Sequence, residues 1–250
     1  MKYKKWSDEI WKQLRAALAE ELRSGARPVA AFDADGTLWD ADIGEDFFRY
    51  QIDQRFLPNL PPNPWEYYVN WKLSGDPRPA YLWLAQINRG VSLRQVLDWS
   101  EQAVASHEPL PIFADQKEWI QILLSEGAEI FVVTASVRWA MIPAAFRLGI
   151  DESHVLGVET KVENGTVTAE PYGFMTYREG KAEALLARTG GRCPFFASGN
   201  TVGDSALLRT ASRLALAVRT NPTHQSEELI RTEGMLAEEA KERGWLVHEF

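Results

Sequence analysis

Four short stretches limit what this chain can fold into: PVAAF at 28–32, EIFVVT at 129–134, FFAS at 195–198 and LALAV at 214–218. Each has the length of a strand and is apolar almost throughout, where a half-buried strand would alternate, so each needs cover on both faces. Helical stretches separate EIFVVT and FFAS from their neighbours. The pattern predicts an α/β protein, a Rossmann-like parallel sheet flanked by helices. In such sheets ligands bind beyond the carboxyl ends of the strands. Near the start, Ile10, Leu14, Leu18 and Leu22 recur every four residues, which predicts a helix ended near Gly25.

Spacing predicts an insertion. Asp33 and Thr134 close two of the apolar runs, yet roughly a hundred positions lie between them, where a strand–helix–strand unit takes roughly 30. The interval holds FFRYQIDQRF, WEYYVNWKL, AYLWLAQI and SLRQVLDWSEQAV, helical in pattern and separated by the breakers PNLPPNP, SGDPRP and NRG. We therefore expect an inserted helical domain over 43–112 and a core made of 1–42 and 113–250. DQKEWIQILLSEG reads as the core helix leading into EIFVVT, and TKVENGTVTAEP as a hairpin turning at Asn164-Gly165.

Composition narrows the partners. With 27 basic and 35 acidic residues the formal net charge is −8, and no long basic stripe offsets it, which argues against nucleic-acid or membrane-surface binding. Cys193 is the only cysteine, so an intrachain disulfide and a thiolate metal cluster are excluded. The first residues lack the uninterrupted apolar stretch of a signal peptide, and no later segment is apolar enough to span a bilayer. A soluble protein of the reducing cytoplasm is expected.

The chemistry gathers at the strand ends. In AFDADGTLW, Asp33 and Asp35 stand two positions apart and repel each other unless positive charge lies between them. Thr134 closes the second run, Lys181 opens the helix GKAEALLA, and SGNTVGD brings Asn200 and Asp204 after FFA. Taken singly, an Asp-X-Asp-Gly is a turn, Thr134 a β-branched strand residue, Ser136 a helix cap and Lys181 a solvated lysine. Together they suit phosphoryl transfer, which needs an in-line nucleophile, a proton carrier and fixed positive charge for the equatorial oxygens. Mg²⁺ prefers oxygen ligands and keeps several waters, so two carboxylates and a carbonyl suffice for it. His107, His154, His224 and His248 are scattered and expected in surface or loop positions, and Ser198 and Ser205 in turns.

These motifs, in this order, resemble the haloacid dehalogenase superfamily of phosphatases, in particular its phosphoserine-phosphatase-like branch. FDADGTL is similar to the first motif, VVTAS to the second, REGKAEAL to the third and SGNTVGD to the fourth. LGIDESHVLGVETKVENG resembles the strand and hairpin between the second and third, NPTHQSEELIRTEGMLAEEAKERGW the closing helix, and the insertion the helical cap. The resemblance implies an aspartyl-phosphate on Asp33, with Asp35 as general acid and then base. Thr134 and Lys181 would hold the phosphoryl oxygens, and Asp33, Asp35, Asn200 and Asp204 would form the Mg²⁺ site. The family often has Gly-Asp in the fourth motif, whereas this chain has Gly199-Asn200. Asn200→Asp is therefore expected to restore a charge and tighten Mg²⁺.

The cap would choose the substrate, a small-molecule phosphomonoester. Trp65, Tyr67, Tyr68, Trp71, Tyr81, Trp83 and Trp99 enrich it in aromatics; Tyr67 and Trp71 lie one helical turn apart, which favours a plain cap core over an aromatic pocket. Asp42 and Glu45 are candidates to meet a substrate amine, or else to cap a helix, and Ala135 beside Thr134 completes the expected substrate-binding set. A phosphotransferase would use the same intermediate with another hydroxyl in place of water. A catalytically weak binding protein is the remaining alternative.

Overall fold

The computed structural model describes residues 3–220 and 226–250; His224 lies outside them. Seven strands form one sheet in the order β4-β3-β2-β1-β5-β6-β7. They are β1 (Val29–Phe32), β2 (Glu129–Val137), β3 (Val155–Glu163), β4 (Thr166–Tyr172), β5 (Phe196–Gly199), β6 (Leu214–Arg219) and β7 (Leu246–Glu249). All neighbouring pairs are parallel except β3 and β4.

The continuous apolar runs have a physical cause. Val29 and Ala31 of β1 join one buried cluster with Phe131, Val133, Ala197 and Leu185, while Ala30 and Phe32 join the other with Ile130, Val132, Phe196 and Trp119. Both faces of the central strands are dry, so neither tolerates alternation. Helix α1 (Asp8–Arg23) starts at Ser7, whose side chain accepts from Ile10 N, and buries Ile10, Leu14 and Leu18. Leu22, in the last turn, is an exposed apolar side chain.

Between β1 and α6 (Ala114–Ser125) stand four helices: α2 (Ile43–Asp53), α3 (Pro64–Leu73), α4 (Arg78–Gln86) and α5 (Leu93–Ala105). The prolines that broke the pattern begin helices: Pro64 opens α3, and Pro77 precedes α4. Phe48 lies at the centre of this layer, with the rings of Trp83, Tyr68 and Trp65 at 5.5, 5.7 and 6.4 Å, while Trp99 stacks on Phe56 at 4.4 Å. Tyr67, Trp71 and Trp83 also meet one another. These tryptophans are packing residues. We expect Trp83→Ala to lower unfolding free energy by about 2–4 kcal/mol without altering relative kcat/KM across a panel of esters. Chemical denaturation and the panel check the two halves.

The hairpin turns as expected at Asn164 and Gly165, whose φ values of 49° and 76° suit a type I′ turn. Its outer strand β4 is not a free edge. Gly90 N donates to Val167 O, Val167 N to Val91 O and Leu93 N to Gly165 O, at 2.8, 2.9 and 2.8 Å. The α4–α5 loop thus covers the edge.

Four local expectations need correction. Strand β2 runs past Thr134 to Val137, with a register shift between Val133 and Val137 that re-aims the residues between them. Ser198 belongs to β5, not a turn, and Ser205 begins the short helix α9 (Ser205–Leu208). His248 is buried in β7, its Nε2 3.1 Å from Lys4 O.

Candidate active site

Asp33 is the first residue after β1, and its N–H donates to Ser198 O on β5 at 2.9 Å. The chain then doubles back: Thr37 N and Leu38 N donate to Ala34 O, and Gly36 N to Trp39 O. Gly36 permits this at φ 73°. A Cβ there would lie 2.2 Å from Asn200 Nδ2, so the missing side chain also lets the first and fourth motifs touch.

Helix α8 (Glu179–Arg188) carries Lys181 in its first turn. The Nζ sits 2.5 Å from Asp33 Oδ1 and 2.5 Å from Asp204 Oδ1, and all three side chains are buried. Lys181 is thus no solvated helix lysine. Thr37 Oγ1 donates to Asp33 Oδ2 at 2.9 Å. Asp204 Oδ2 accepts from Asn200 N, Thr201 N and Thr201 Oγ1 at 3.1, 3.0 and 3.3 Å, which fixes the loop after β5. Burial, followed by the charge of Asp204, pushes the Asp33 carboxyl up to about 7, with Lys181 pulling the other way. For Lys181 burial lowers the pKa, but Asp204 and Asp33 outweigh it and the ammonium is held above its ordinary range.

Asp35 points elsewhere. Its Oδ1 accepts from Trp39 Nε1 at 2.8 Å and Ile43 N at 2.9 Å, and its Oδ2 from Ser136 Oγ at 2.8 Å. Burial raises its pKa against these three donors. Two fixed N–H groups face Oδ1, so a proton on this carboxyl belongs on Oδ2, beside a hydroxyl that can rotate and accept. Ser136 is therefore part of the site and not a helix cap. The buried Thr134 sits nearby, its Oγ1 accepting from Ser136 N at 3.1 Å.

Asp33, Asp35, Thr134, Ser136, Lys181, Asn200 and Asp204, with Ala135, Asp42 and Glu45, line one cleft of about 1310 Å³. Asp42 is exposed to the cleft's water. It caps α2 by accepting from Glu45 N at 2.8 Å. Glu45 is itself ion-paired with Lys72. Of the aromatic residues, Tyr68, Tyr81 and Tyr177 face this cleft.

The donor set suits a hard cation. Among the described residues no three His, Cys, Asp or Glu side chains converge as a ready metal cluster, because Asp33 and Asp204 both turn to Lys181. Any cation must therefore share those carboxylates with neutral oxygens, and Asn200 supplies one. Its Nδ2 donates to the buried Glu233 at 3.3 Å, and its Oδ1 lies 3.5 Å from Thr37 Oγ1, on the Asp33 side. Mg²⁺, which takes oxygen ligands and retains waters, fits a few anionic and neutral oxygens of this kind.

The family model for haloacid dehalogenase-like hydrolases matches residues 30–209, from just before Asp33 to just after Asp204. The chain belongs to this family. Among its relatives, a phosphorylcholine phosphatase of Pseudomonas aeruginosa is 23% identical over 197 residues, covering 64% of this chain and 56% of that protein. The chain therefore spans little more than half the relative's length. A solved structure of a Bordetella pertussis protein of unknown function superposes with a TM-score of 0.69 at 21% identity, covering 89% of this chain and 98% of that one. The phospho-aspartyl intermediate analogue of a phosphoserine phosphatase does so at 0.54 and 15%, covering 89% and 93%. At these identities the likeness concerns the fold.

The sequence did not disclose Thr37, Ser136 and Glu233 as site residues. Thr37 and Ser136 were visible within the first and second motifs but carry no signal apart from them. Glu233 comes from α10 (Glu227–Arg243), 33 positions after Asn200.

Proposed function

We propose that this haloacid dehalogenase-like hydrolase is a Mg²⁺-dependent phosphomonoesterase for a small metabolite, working through an aspartyl-phosphate on Asp33. The observation that carries the reading is the buried Asp33–Lys181–Asp204 contact at the carboxyl ends of the strands, with Asp35 held apart to carry a proton. An oxygen of Asp33 forms a bond to phosphorus as the ester P–O bond breaks, and the leaving oxygen takes the proton from Asp35 Oδ2. Asp35, now ionised, removes a proton from water. That water attacks the phosphorus, releasing phosphate and regenerating the Asp33 carboxylate. Thr134 and Lys181 hold the equatorial oxygens. Asp33, Asp204, Asn200 and the Asp35 main-chain carbonyl would hold Mg²⁺, which when bound supplies further positive charge to the phosphoryl group.

The 43–112 cap places its side chains against the organic part of the ester. Asp42, with no ion pair among the described residues, and the tyrosines of the cleft favour a compact amine-bearing group over a large polyphosphate. Glu45 contributes less, being neutralised by Lys72. A relative that is a phosphorylcholine phosphatase supports this class. No described helix is long and apolar enough to cross a membrane, and the lone Cys193 supports a reducing cytoplasm as its setting.

Hydrolysis of an aryl phosphate with Mg²⁺, abolished by EDTA, tests the reaction. A panel in which sugar phosphates or nucleotides outpace every amine-bearing ester would reject the substrate class. For Asp35→Asn we expect a fall of about 10²–10⁴-fold with esters of high leaving-group pKa and a smaller one with aryl phosphates. Equal losses in both would remove Asp35 from the acid role.

A further inference from the structure

Glu233 is a buried carboxylate that the chemistry above does not use. Its Oε1 receives Thr220 N at 3.3 Å, Thr220 Oγ1 at 2.8 Å and Asn200 Nδ2 at 3.3 Å. A main-chain N–H can only donate, so this oxygen is an acceptor, and the Asn200 amide must present its NH₂ to it. The amide carbonyl then faces the other way, 3.5 Å from Thr37 Oγ1, the hydroxyl that donates to Asp33 Oδ2. Gly36 closes another side, since the space a Cβ would take there is filled by Asn200 Nδ2. The amide cannot turn over without losing the Glu233 contact.

We infer that Glu233 is the positioning residue of Asn200, and that the carboxyl group missing from the fourth motif stands one amide behind it. Asn200 offers a neutral oxygen toward Asp33, and Glu233 holds and polarises that amide from the far side. The inference deepens the reading of Asn200 as a Mg²⁺ ligand and rests on it. It also reverses the simple expectation for Asn200→Asp. A second carboxyl facing Glu233 would set two negative charges against each other or force the pair to hold a proton between them, so the added acid does not strengthen the site unless Glu233 changes too. A glutamine at 233 removes one of the two facing carboxyl groups, but its oxygen must stay with Thr220 N, so the exchanged pair relieves the repulsion without restoring the contact in full.

The test is a double-mutant cycle on the full chain with Asn200→Asp, Glu233→Gln and the combination. Mg²⁺ alone is titrated calorimetrically, and melting is followed in EDTA. Each single change should weaken Mg²⁺ about ten-fold or more, the usual loss for an outer-shell partner, and Asn200→Asp should also melt lower. The combination should bind Mg²⁺ more tightly and melt higher than the sum of the two single changes allows. Additive effects, with Glu233→Gln doing the same in either background, would overturn the inference, as would coupling in melting with none in Mg²⁺ affinity. If Asn200→Asp does not fold, recovery of folded protein that binds Mg²⁺ in the combination supports the inference, and a combination that also fails to fold or to bind overturns it. A wild-type protein that binds no Mg²⁺ removes the metal reading itself, and with it the inference; turnover enters neither measurement.

Discussion

Asp33→Asn removes turnover by at least about 10⁴-fold, equivalent to more than about 5 kcal/mol of transition-state stabilisation, while the protein stays folded. The amide keeps the shape of the carboxylate but cannot form the bond to phosphorus. Lys181 retains Asp204, so the change leaves no ammonium unpaired. In metal-free protein the same variant should melt higher than its parent at pH 8. The Asp33 carboxyl, at about 7 when folded against 3.8 as its ordinary value, binds its proton more tightly in the folded state. The stability this gives is fully present below about pH 4 and is lost as pH rises through 7. Asparagine never ionises and escapes the loss. The gain should amount to several degrees, at about 2–4 °C per kcal/mol for a chain of this size, and should shrink toward pH 4. Steady-state rates with an aryl phosphate and melting curves in EDTA at both pH values check the two effects. Retained turnover excludes Asp33 as nucleophile.

Lys181→Ala should damage both fold and activity. The ammonium is the shared partner of two buried carboxylates, and its removal leaves Asp33 and Asp204 facing each other without a counter-charge. Breaking a buried pair in this way costs about 3–5 kcal/mol, and loss of a fixed charge on the phosphoryl oxygens lowers kcat by about 10²–10³-fold. Because protonation of Asp33 relieves the repulsion, the stability loss should be smaller at pH 5 than at pH 8. Denaturant unfolding in EDTA at the two pH values measures this. A loss below about 1 kcal/mol at pH 8 would mean that the ion pairs contribute little.

Asp33, Lys181 and Asp204 could be placed from the sequence because each follows or opens an element whose apolar pattern is plain. The central strands bury both faces, which makes VAAF and FFAS conspicuous. Strand β7 was not legible: LVHE mixes a histidine and an acid into four residues, and His248 is buried by contacts with Trp6 and Phe250 that are tertiary. The roles of Ser136 and Thr37 depend on where Asp35 and Asp33 turn their oxygens, which no spacing reveals. Glu233 lies in a helix whose polar residues read as solvent-facing until the loop after β5 is folded against it. Between β1 and α6, α3 and α4 carry aromatics on several faces, so only packing separates Trp83, which stays out of the cleft, from Tyr68 and Tyr81, which line it.

The most direct test is to trap the intermediate. Enzyme mixed with Mg²⁺ and a radiolabelled phosphomonoester, quenched in acid within one turnover and digested, should carry label in the peptide containing Asp33. That label should be lost on treatment with hydroxylamine, as an acyl phosphate is, and should be absent in Asp33→Asn. A burst of free phosphate with no labelled peptide, or label on a different residue, would contradict the account.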